Sequence, residues 1–479
     1  MATDTRSLSL AQLDARADRI ARALQRLGLA EGATIGLLLD NDLHVVEFWW
    51  GVRRAGLYYV PISTRLLANE ITYILADSHA ELLIASAGFA ATICEVERCF
   101  PPETLRCLST EAVMGAGDDA APAPATLIGR ELFYSSGTTG RPRGIRRPLA
   151  SSDRDTLPPL EQRMREICGY DRDTVYLSVA PLYHATGRFL NRVVEAGGSV
   201  VILPRFDPMA ALAAIEDHRV THSQWVPTMF GRMLDLPAEE RHRHDLSSLR
   251  VALHAAAPCP VAVKRAMLDW WGPIVDEYYG GSENAGITYI SAAEWLERPG
   301  SVGRAIVGAI HILDEQDHAR ELPPGAIGLI AFEGGVPFQY TTQDGTGGSN
   351  ASPQGYTSHG DIGHVDAQGY LFISDRRDDL ILTGGVNVYP KEVELVLETH
   401  PAVREVAVIG LPDPDLGQRV AAVVCTKGEA NDTLADALLA HCRAALSSVK
   451  CPRAIQFVDE LPRNENGKLL KRVLRERFG

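Results

Sequence analysis

Long apolar runs are missing from this chain: none approaches the roughly 18–20 uninterrupted apolar residues needed to cross a bilayer. The opening, MATDTRSLSLAQLDAR, lacks the basic-then-apolar order of a secretory signal, so a cytoplasmic protein without integral membrane association is expected. Cysteine is sparse, with 8 residues at 94, 99, 107, 168, 259, 425, 442 and 451, no CxxC pair and no zinc spacing. Scattered thiols of this kind read as reduced core or surface residues. Basic residues are outnumbered, 47 Lys and Arg against 61 Asp and Glu, for a formal net charge of −14. That balance argues against non-specific nucleic-acid binding. No internal repeat is present. At 46% hydrophobic and 23% charged, the 479 residues have ample core, which excludes general disorder or a fibrous chain and suggests two to four lobes.

The N-terminal third alternates two periodicities. Leu10, Leu13, Ala17, Ile20, Leu24 and Leu27 recur at helical spacing. Ser9 with Gln12 resembles a capping box, and Gly28 supplies a stop. A strand is expected at Thr34–Leu39, a helix at Asn41–Ala55, a strand at Leu57–Ile62, a helix at Asn69–Asp77 and a strand at Glu81–Ser86. Such alternation implies a mostly parallel sheet covered on both faces, hence an α/β fold. After the loop GAGDDAAPAPA at 115–125, a second α/β stretch runs from about 130 to 290. Short β runs from Ser301 to Tyr370 predict a β-rich subdomain. About 100 further residues suit a separate C-terminal domain.

The densest chemical signal is Tyr134–Gly144, YSSGTTGRPRG. Three glycines and four aliphatic hydroxyls in eleven positions make a loop whose N–H groups can converge on an anion. Arg141 or Arg143 can add charge-assisted hydrogen bonds to phosphate oxygens. It is not the usual P-loop, because GxxxxGK[ST] is absent.

That string resembles the phosphate loop of the adenylate-forming superfamily: acyl-CoA synthetases, luciferases and the adenylation domains of peptide synthetases. Five further segments resemble the family's motifs in order. They are HAAAP at His254–Pro258, YYGGSE from Tyr278 to Glu283, TSHGD from Thr357 to Asp361, Asp375–Asp379 with LILTGGVNVYPKEVE, and PRNENGK from Pro462 to Lys468. The resemblance spans essentially the whole chain, from about residue 8 to 478. It implies an AMP-binding domain at 1–377, made of two α/β sheets and the β-rich subdomain, and a small mobile α+β domain at 378–479.

The resemblance also implies roles. Ser135, Ser136, Gly137, Thr138, Thr139 and Gly140 would wrap the β- and γ-phosphates of ATP. Arg143 stands where the family usually has Lys, so the cation survives with a different donor geometry. Ala256, Ala257 and Pro258 would line the adenine pocket with Tyr279 and Gly280 beside the base. Ser282 replaces the usual Thr. Glu283, with Thr138, would hold Mg²⁺, oxygen donors for a hard cation. Asp361 and Arg376 would take the ribose. Asp378 falls at the hinge, Gly384 and Gly385 would line the pantetheine tunnel, and Lys468 would stabilise charge at the α-phosphate. His184, in PLYHATG, matches a position near the substrate carboxylate and suits a gate better than a base. Trp225 and Met229 are candidate acyl-pocket walls.

The implied reaction joins a carboxylic acid to coenzyme A through an acyl-adenylate, with a fatty, alicyclic or steroid-type acid expected. An aryl acid, or an acyl-AMP ligase loading a carrier protein, is the alternative, and a catalytically silent nucleotide-binding regulator a remote one. A homodimer is possible. Three decoys carry less. Ser447–Lys450 spells SxxK without SDN or KTG. His242 and His244 have no third ligand. Lys468, Lys471, Arg472 and Arg475 are expected to form a solvated helix face, with Lys468 alone having a separate reason to matter.

Overall fold

The computed structural model describes residues 6–101, 103–118, 122–135, 142–152, 159–184, 187–281, 285–335, 339–340, 352–376, 379–383, 386–463 and 469–479. The side chains of Ser135, Pro159, Gln339, Tyr340, Asp375, Arg376 and Asn387 are not among those described.

The first helix, Leu10–Arg26, opens on the expected capping box, with Ser9 Oγ accepting from the Gln12 amide and the Gln12 side chain accepting from the Ser9 amide. Its apolar stripe (Leu13, Ala17, Ile20, Leu24) is fully buried. The first sheet runs in the order Arg106–Ser109, Ala80–Ala85, Thr34–Leu38, Tyr58–Pro61, Arg130–Glu131 and is parallel throughout. Every residue of Thr34–Leu38 is buried, as a strand covered on both faces demands.

The second sheet runs Ser199–Ile202, Val175–Ser178, His222–Trp225, Val251–His254, Val275–Gly280, Ile287–Ile290, Arg304–Ala305. Its first four pairings are parallel and its last two antiparallel. Asn41 ties the two sheets together: its side chain accepts from the Leu182 amide at 2.7 Å and donates to the Leu203 carbonyl at 2.8 Å. One continuous core, from Leu13 and Phe48 to Tyr176 and Ile202, runs through both lobes. The expected β-rich subdomain is a four-stranded antiparallel sheet of Ile310–Leu313, Gly328–Phe332, Asp361–Val365 and Leu371–Arg376.

The C-terminal part has its own core. A long hairpin, Val403–Asp413 with Gly417–Thr426, is flanked by Ala454–Phe457 in parallel. Helices Pro390–Glu398 and Asp432–Ala445 supply one layer of apolar contacts, and helix Lys471–Phe478 supplies another. Across to the β-rich subdomain, the Tyr389 hydroxyl donates to Glu315 Oε1 at 2.8 Å.

The basic stripe is not a uniformly solvated face. Lys471 Nζ lies 2.8 Å from Glu394 Oε1, with both side chains mostly buried, and Arg475 pairs with Asp379 at 2.5 Å. Among the described residues of the stripe, only Arg472, paired with Glu476 one turn on, matches the expected solvated face. The stripe's period is that of a helix, but two of its charges face inward onto carboxylates.

Candidate active site

In parallel sheets, ligands collect beyond the carboxyl ends of the strands, where side chains and amides from successive loops converge. Four such ends of the second sheet meet here. Pro181, Tyr183 and His184 follow Val175–Ser178. Val226 and Met229 follow His222–Trp225. Ala256–Pro258 follow Val251–His254, and Tyr279–Gly281 finish Val275–Gly280. All line one cleft, and so do Arg404, Arg463 and Lys471 from the C-terminal part. At roughly 3360 Å³ the cleft exceeds an ordinary small-molecule pocket severalfold, so it is the open groove between the two parts of the chain.

The sharpest geometry lies between Tyr279 and Asp361. The Tyr279 hydroxyl donates to Asp361 Oδ2 at 2.6 Å. The Tyr279 ring meets His359 edge-on at 5.5 Å and leans on Phe332 at 6.3 Å. Thr357 Oγ1 donates to the Ala285 carbonyl at 2.7 Å and Ser358 Oγ to the Ile330 carbonyl at 2.6 Å. His359 Nε2 sits 2.9 Å from the Gly286 carbonyl, so Thr357 and His359 hold the TSHGD segment to the chain entering strand Ile287–Ile290, while Ser358 holds it to the β-rich sheet. Asp361 pairs in register with Arg376 across the sheet. His359 was not singled out from the sequence, although TSHGD was; its place between Tyr279 and Phe332 gives it a packing role beside the proposed adenine face.

Ala256 sits at φ 75°, a left-handed conformation that an L side chain adopts at a cost. The turn lets the chain leave the strand and present Ala256, Ala257 and Pro258 to the cleft.

The ends of the glycine-rich string lie side by side, because Phe133–Ser135 and Arg143–Arg146 form an antiparallel pair with Ser135 opposite Arg143. The ends of the PRNENGK string are likewise joined, with Arg463 bridging to Leu469 and the Leu470 amide donating to the Pro462 carbonyl at 2.8 Å. Arg143, Arg463 and Leu469 all line the cleft. Ser136, Gly137, Thr138, Thr139, Gly140, Ser282, Glu283, Asp378, Gly384, Gly385 and Lys468 lie outside the described residues, as do the side chains of Ser135 and Arg376.

His184 is pushed down to about 4 by burial and then by the charge of Arg65, so its ring is neutral near pH 7. It packs edge-on against Tyr183 at 4.5 Å. The imidazole at this position is therefore uncharged and packed against an aromatic ring. Met229 reaches the cleft wall at 7% exposure. Trp225 does not: at 1% exposure it is packed among Phe206, Phe230 and Trp271, and its Nε1 donates to Ser223 Oγ at 2.7 Å.

One buried cluster went unread in the sequence. Lys264, on helix Val261–Trp271, is fully buried with Nζ 2.7 Å from Glu277 Oε2 and 4.8 Å from the Trp295 ring centroid. His254 lies 3.4 Å from the same carboxylate. Burial alone would raise the Glu277 carboxyl, but His254 and Lys264 bring it down to about 2. This pair links the strand carrying Tyr279 to the helix after HAAAP. The available signal was Lys264 sharing an apolar stripe with Met267, Leu268 and Trp271.

Comparison with known proteins decides the family. A family model described as AMP-binding enzyme matches residues 1–338, and one described as AMP-binding enzyme C-terminal domain matches residues 392–468. The chain belongs to the AMP-binding enzymes. Within that adenylate-forming family it is similar to the long-chain-fatty-acid–CoA ligase FadD13 of Mycobacterium tuberculosis, 30% identical over 99% of this chain and 94% of that protein. It is similar too to a feruloyl-CoA synthase from an Amycolatopsis species, 32% identical over 99% of this chain and 94% of that one. Among solved structures, ATP-bound MatB from Rhodopseudomonas palustris superposes with a TM-score of 0.88 at 29% identity, covering 99% of this chain and 95% of its own. This AMP-binding enzyme therefore sits in the acyl-CoA synthetase branch, with the two-part α/β architecture of its structural neighbours. Among the described residues no helix is long and apolar enough to cross a membrane, and no cluster of three His, Cys, Asp or Glu could hold a metal.

Proposed function

We propose that the protein is an ATP-dependent carboxylic acid–CoA ligase working through an acyl-adenylate. The observation that carries this reading is the Tyr279–Asp361 hydrogen bond in the lining of the cleft. It sets an aromatic face and a carboxylate side by side, as an adenosine requires: the ring for the purine, the carboxylate for the ribose diol.

In the first half-reaction an oxygen of the acid's carboxylate attacks the α-phosphorus of ATP. The bond from that phosphorus to the bridging oxygen breaks and pyrophosphate leaves. The acid arrives ionised, so no general base is needed. Positioning and charge stabilisation do the work. Arg143 and the amides of the glycine-rich string would take phosphate charge, and Lys468 would meet the charge at the α-phosphate. Glu283 and Thr138, both oxygen donors, would hold Mg²⁺, which neutralises phosphate charge. In the second half-reaction the CoA sulfur attacks the acyl carbon, its proton is lost, and AMP departs. The domain boundary falls between residues 377 and 378, with Asp378 as the hinge and Gly384 and Gly385 beside the pantetheine arm.

The acid is a fatty, alicyclic or steroid-type one. Support comes from the apolar cleft wall of Phe189 and Met229, and from the FadD13 relative. The feruloyl-CoA synthase relative supports an aryl acid as the second reading. Pyrophosphate release from MgATP across fatty, alicyclic, steroid and aryl acids, with and without CoA and with mass detection of the thioester, tests both. CoA-dependent thioester from one class names it. Acyl-AMP without thioester would move the acceptor to a carrier protein or amine. No turnover from a protein that binds ATP would overturn the ligase reading.

A further inference from the structure

Helix Gly187–Glu195 begins just after His184 and is fixed to the first lobe. A Cβ on Gly187 would come within 2.2 Å of the Trp49 ring, and Trp50 Nε1 donates to Asn191 Oδ1 at 3.1 Å. Arg188 and Arg192, one turn apart on this helix, both line the cleft. Their surroundings differ sharply.

Arg192 is satisfied: Nε and Nη2 donate to the two oxygens of Glu161 at 2.5 and 3.0 Å. Among the described residues, Arg188 has only Nε engaged in a hydrogen bond, donating to Glu131 Oε1 at 2.9 Å. The same oxygen accepts from Arg147 Nη2 at 2.5 Å, so a single carboxylate serves two guanidinium groups. Among the described residues, Nη2 of Arg188 is buried without a hydrogen-bond partner, and so is Nε of Arg147. A guanidinium N–H without a partner is costly, so Arg188 has hydrogen-bonding capacity that Glu131 leaves unused.

The charge count points the same way. Burial alone would raise the Glu131 carboxyl, yet Arg188, Arg147 and Arg130 hold it well below the usual carboxylate range. Arg147 is brought down to about 9, by burial first and by the charge of Arg188 next, against the pull of Glu131. Positive charge is thus in local surplus. The Arg188 guanidinium lies over the Phe133 ring at 4.9 Å, and Phe189 beside it packs on Tyr278 at 5.1 Å. With 18% of its side chain still exposed, Arg188 is a cationic fork set in an aromatic wall of the cleft.

We propose that Arg188 determines specificity by binding a second oxygen acceptor, a carboxylate or a carbonyl, carried by the acid away from the carboxyl group that is activated. The inference rests on the ligase reading above and narrows its substrate class. The part of the guanidinium that Glu131 does not hold can donate to either acceptor, and the local charge surplus favours the carboxylate.

The test is thioester formation with three acids of matched length: a plain acid, its ω-keto form and its ω-carboxy form. Each is run on the wild type, Arg188→Met and Arg188→Lys. The readout is the ratio of kcat/KM between two acids within one variant, which cancels any loss of correctly folded enzyme. An oxygenated acid should exceed the plain one by about tenfold or more in the wild type, mainly through KM. That ratio should fall to near one in Arg188→Met and to an intermediate value in Arg188→Lys. Preference for the ω-carboxy form identifies an anion, and preference for the ω-keto form a neutral carbonyl. A wild-type ratio near one, with the plain acid turned over, overturns the inference and leaves the ligase reading standing. A ratio unchanged in Arg188→Met overturns it too, as does a raised KM for ATP with the acid ratio intact. Turnover of none of the three acids overturns the ligase reading and the inference together.

Discussion

The Tyr279 hydroxyl donates to the Asp361 carboxylate at 2.6 Å, joining the end of a strand in the large sheet to the start of one in the β-rich subdomain. Both residues belong to segments to which the family resemblance gives nucleotide-binding roles. Hydrogen bonds to charged groups contribute about 1.5–3 kcal/mol. Tyr279→Phe should therefore weaken ATP binding roughly tenfold by calorimetric titration while leaving kcat at saturating ATP within a few-fold. An unchanged affinity would reduce the bond to scaffolding.

Lys468→Ala separates the half-reactions. Adenylation, followed as pyrophosphate release, should fall by about two to three orders of magnitude, the scale of losing one charge stabiliser. Thioester formation from supplied acyl-adenylate should persist. Equal loss of both in a folded variant would contradict the role given to Lys468.

His184 is neutral well below physiological pH, because burial and Arg65 push its titration down to about 4. His184→Asn should lower kcat/KM by a constant factor from pH 5 to 8. A change in the shape of that profile would mean the imidazole titrates during turnover.

Lys264→Met leaves the Glu277 carboxylate buried beside His254 without its ammonium partner and should destabilise the fold by about 3–5 kcal/mol. Lys264→Met with Glu277→Gln should recover much of that loss in urea denaturation. The pH dependence has a definite sign. Glu277 is held at about 2 against an ordinary 4.5, so its contribution is full above about pH 4.5 and is lost as pH falls toward 2. Between pH 5 and 3 the wild type should lose more stability than Glu277→Gln does. Parallel curves would show that the carboxyl is not held down.

Ala256→Gly relieves a left-handed residue at φ 75° and should stabilise the protein by about 1 kcal/mol. A loss of thermal stability would show that the methyl group's packing outweighs the strain.

Much of this was legible beforehand, for reasons that differ by residue. Leu13, Ala17, Ile20 and Leu24 announced their helix because its apolar face is a simple period, and Ser9 with Gln12 marked its start. TSHGD and YYGGSE announced chemistry only through their resemblance to family motifs in order, since a lone Tyr, Glu or Asp has an ordinary structural reading. Trp225 misled: although Val226 beside it in the chain lines the cleft, its own ring is buried among Phe206, Phe230 and Trp271. Lys264 and Glu277 are 13 positions apart, and Arg147 and Glu131 are 16 apart. Ion pairs closed by tertiary packing leave no periodic trace. The basic stripe showed its spacing but not its direction, which depends on where Glu394 and Asp379 lie.

The hydrogen bond from Tyr389 to Glu315 ties the C-terminal part to the β-rich subdomain. If the C-terminal part turns about the proposed hinge at Asp378 between the two half-reactions, this bond belongs to one orientation only. Its net worth, about 1 kcal/mol, corresponds to roughly a fivefold bias in population. A single hydroxyl can therefore set how long the molecule dwells in one pose before it turns. Tyr389→Phe would shift the resting ensemble without touching a reacting atom, and the two half-reactions would change speed in opposite directions.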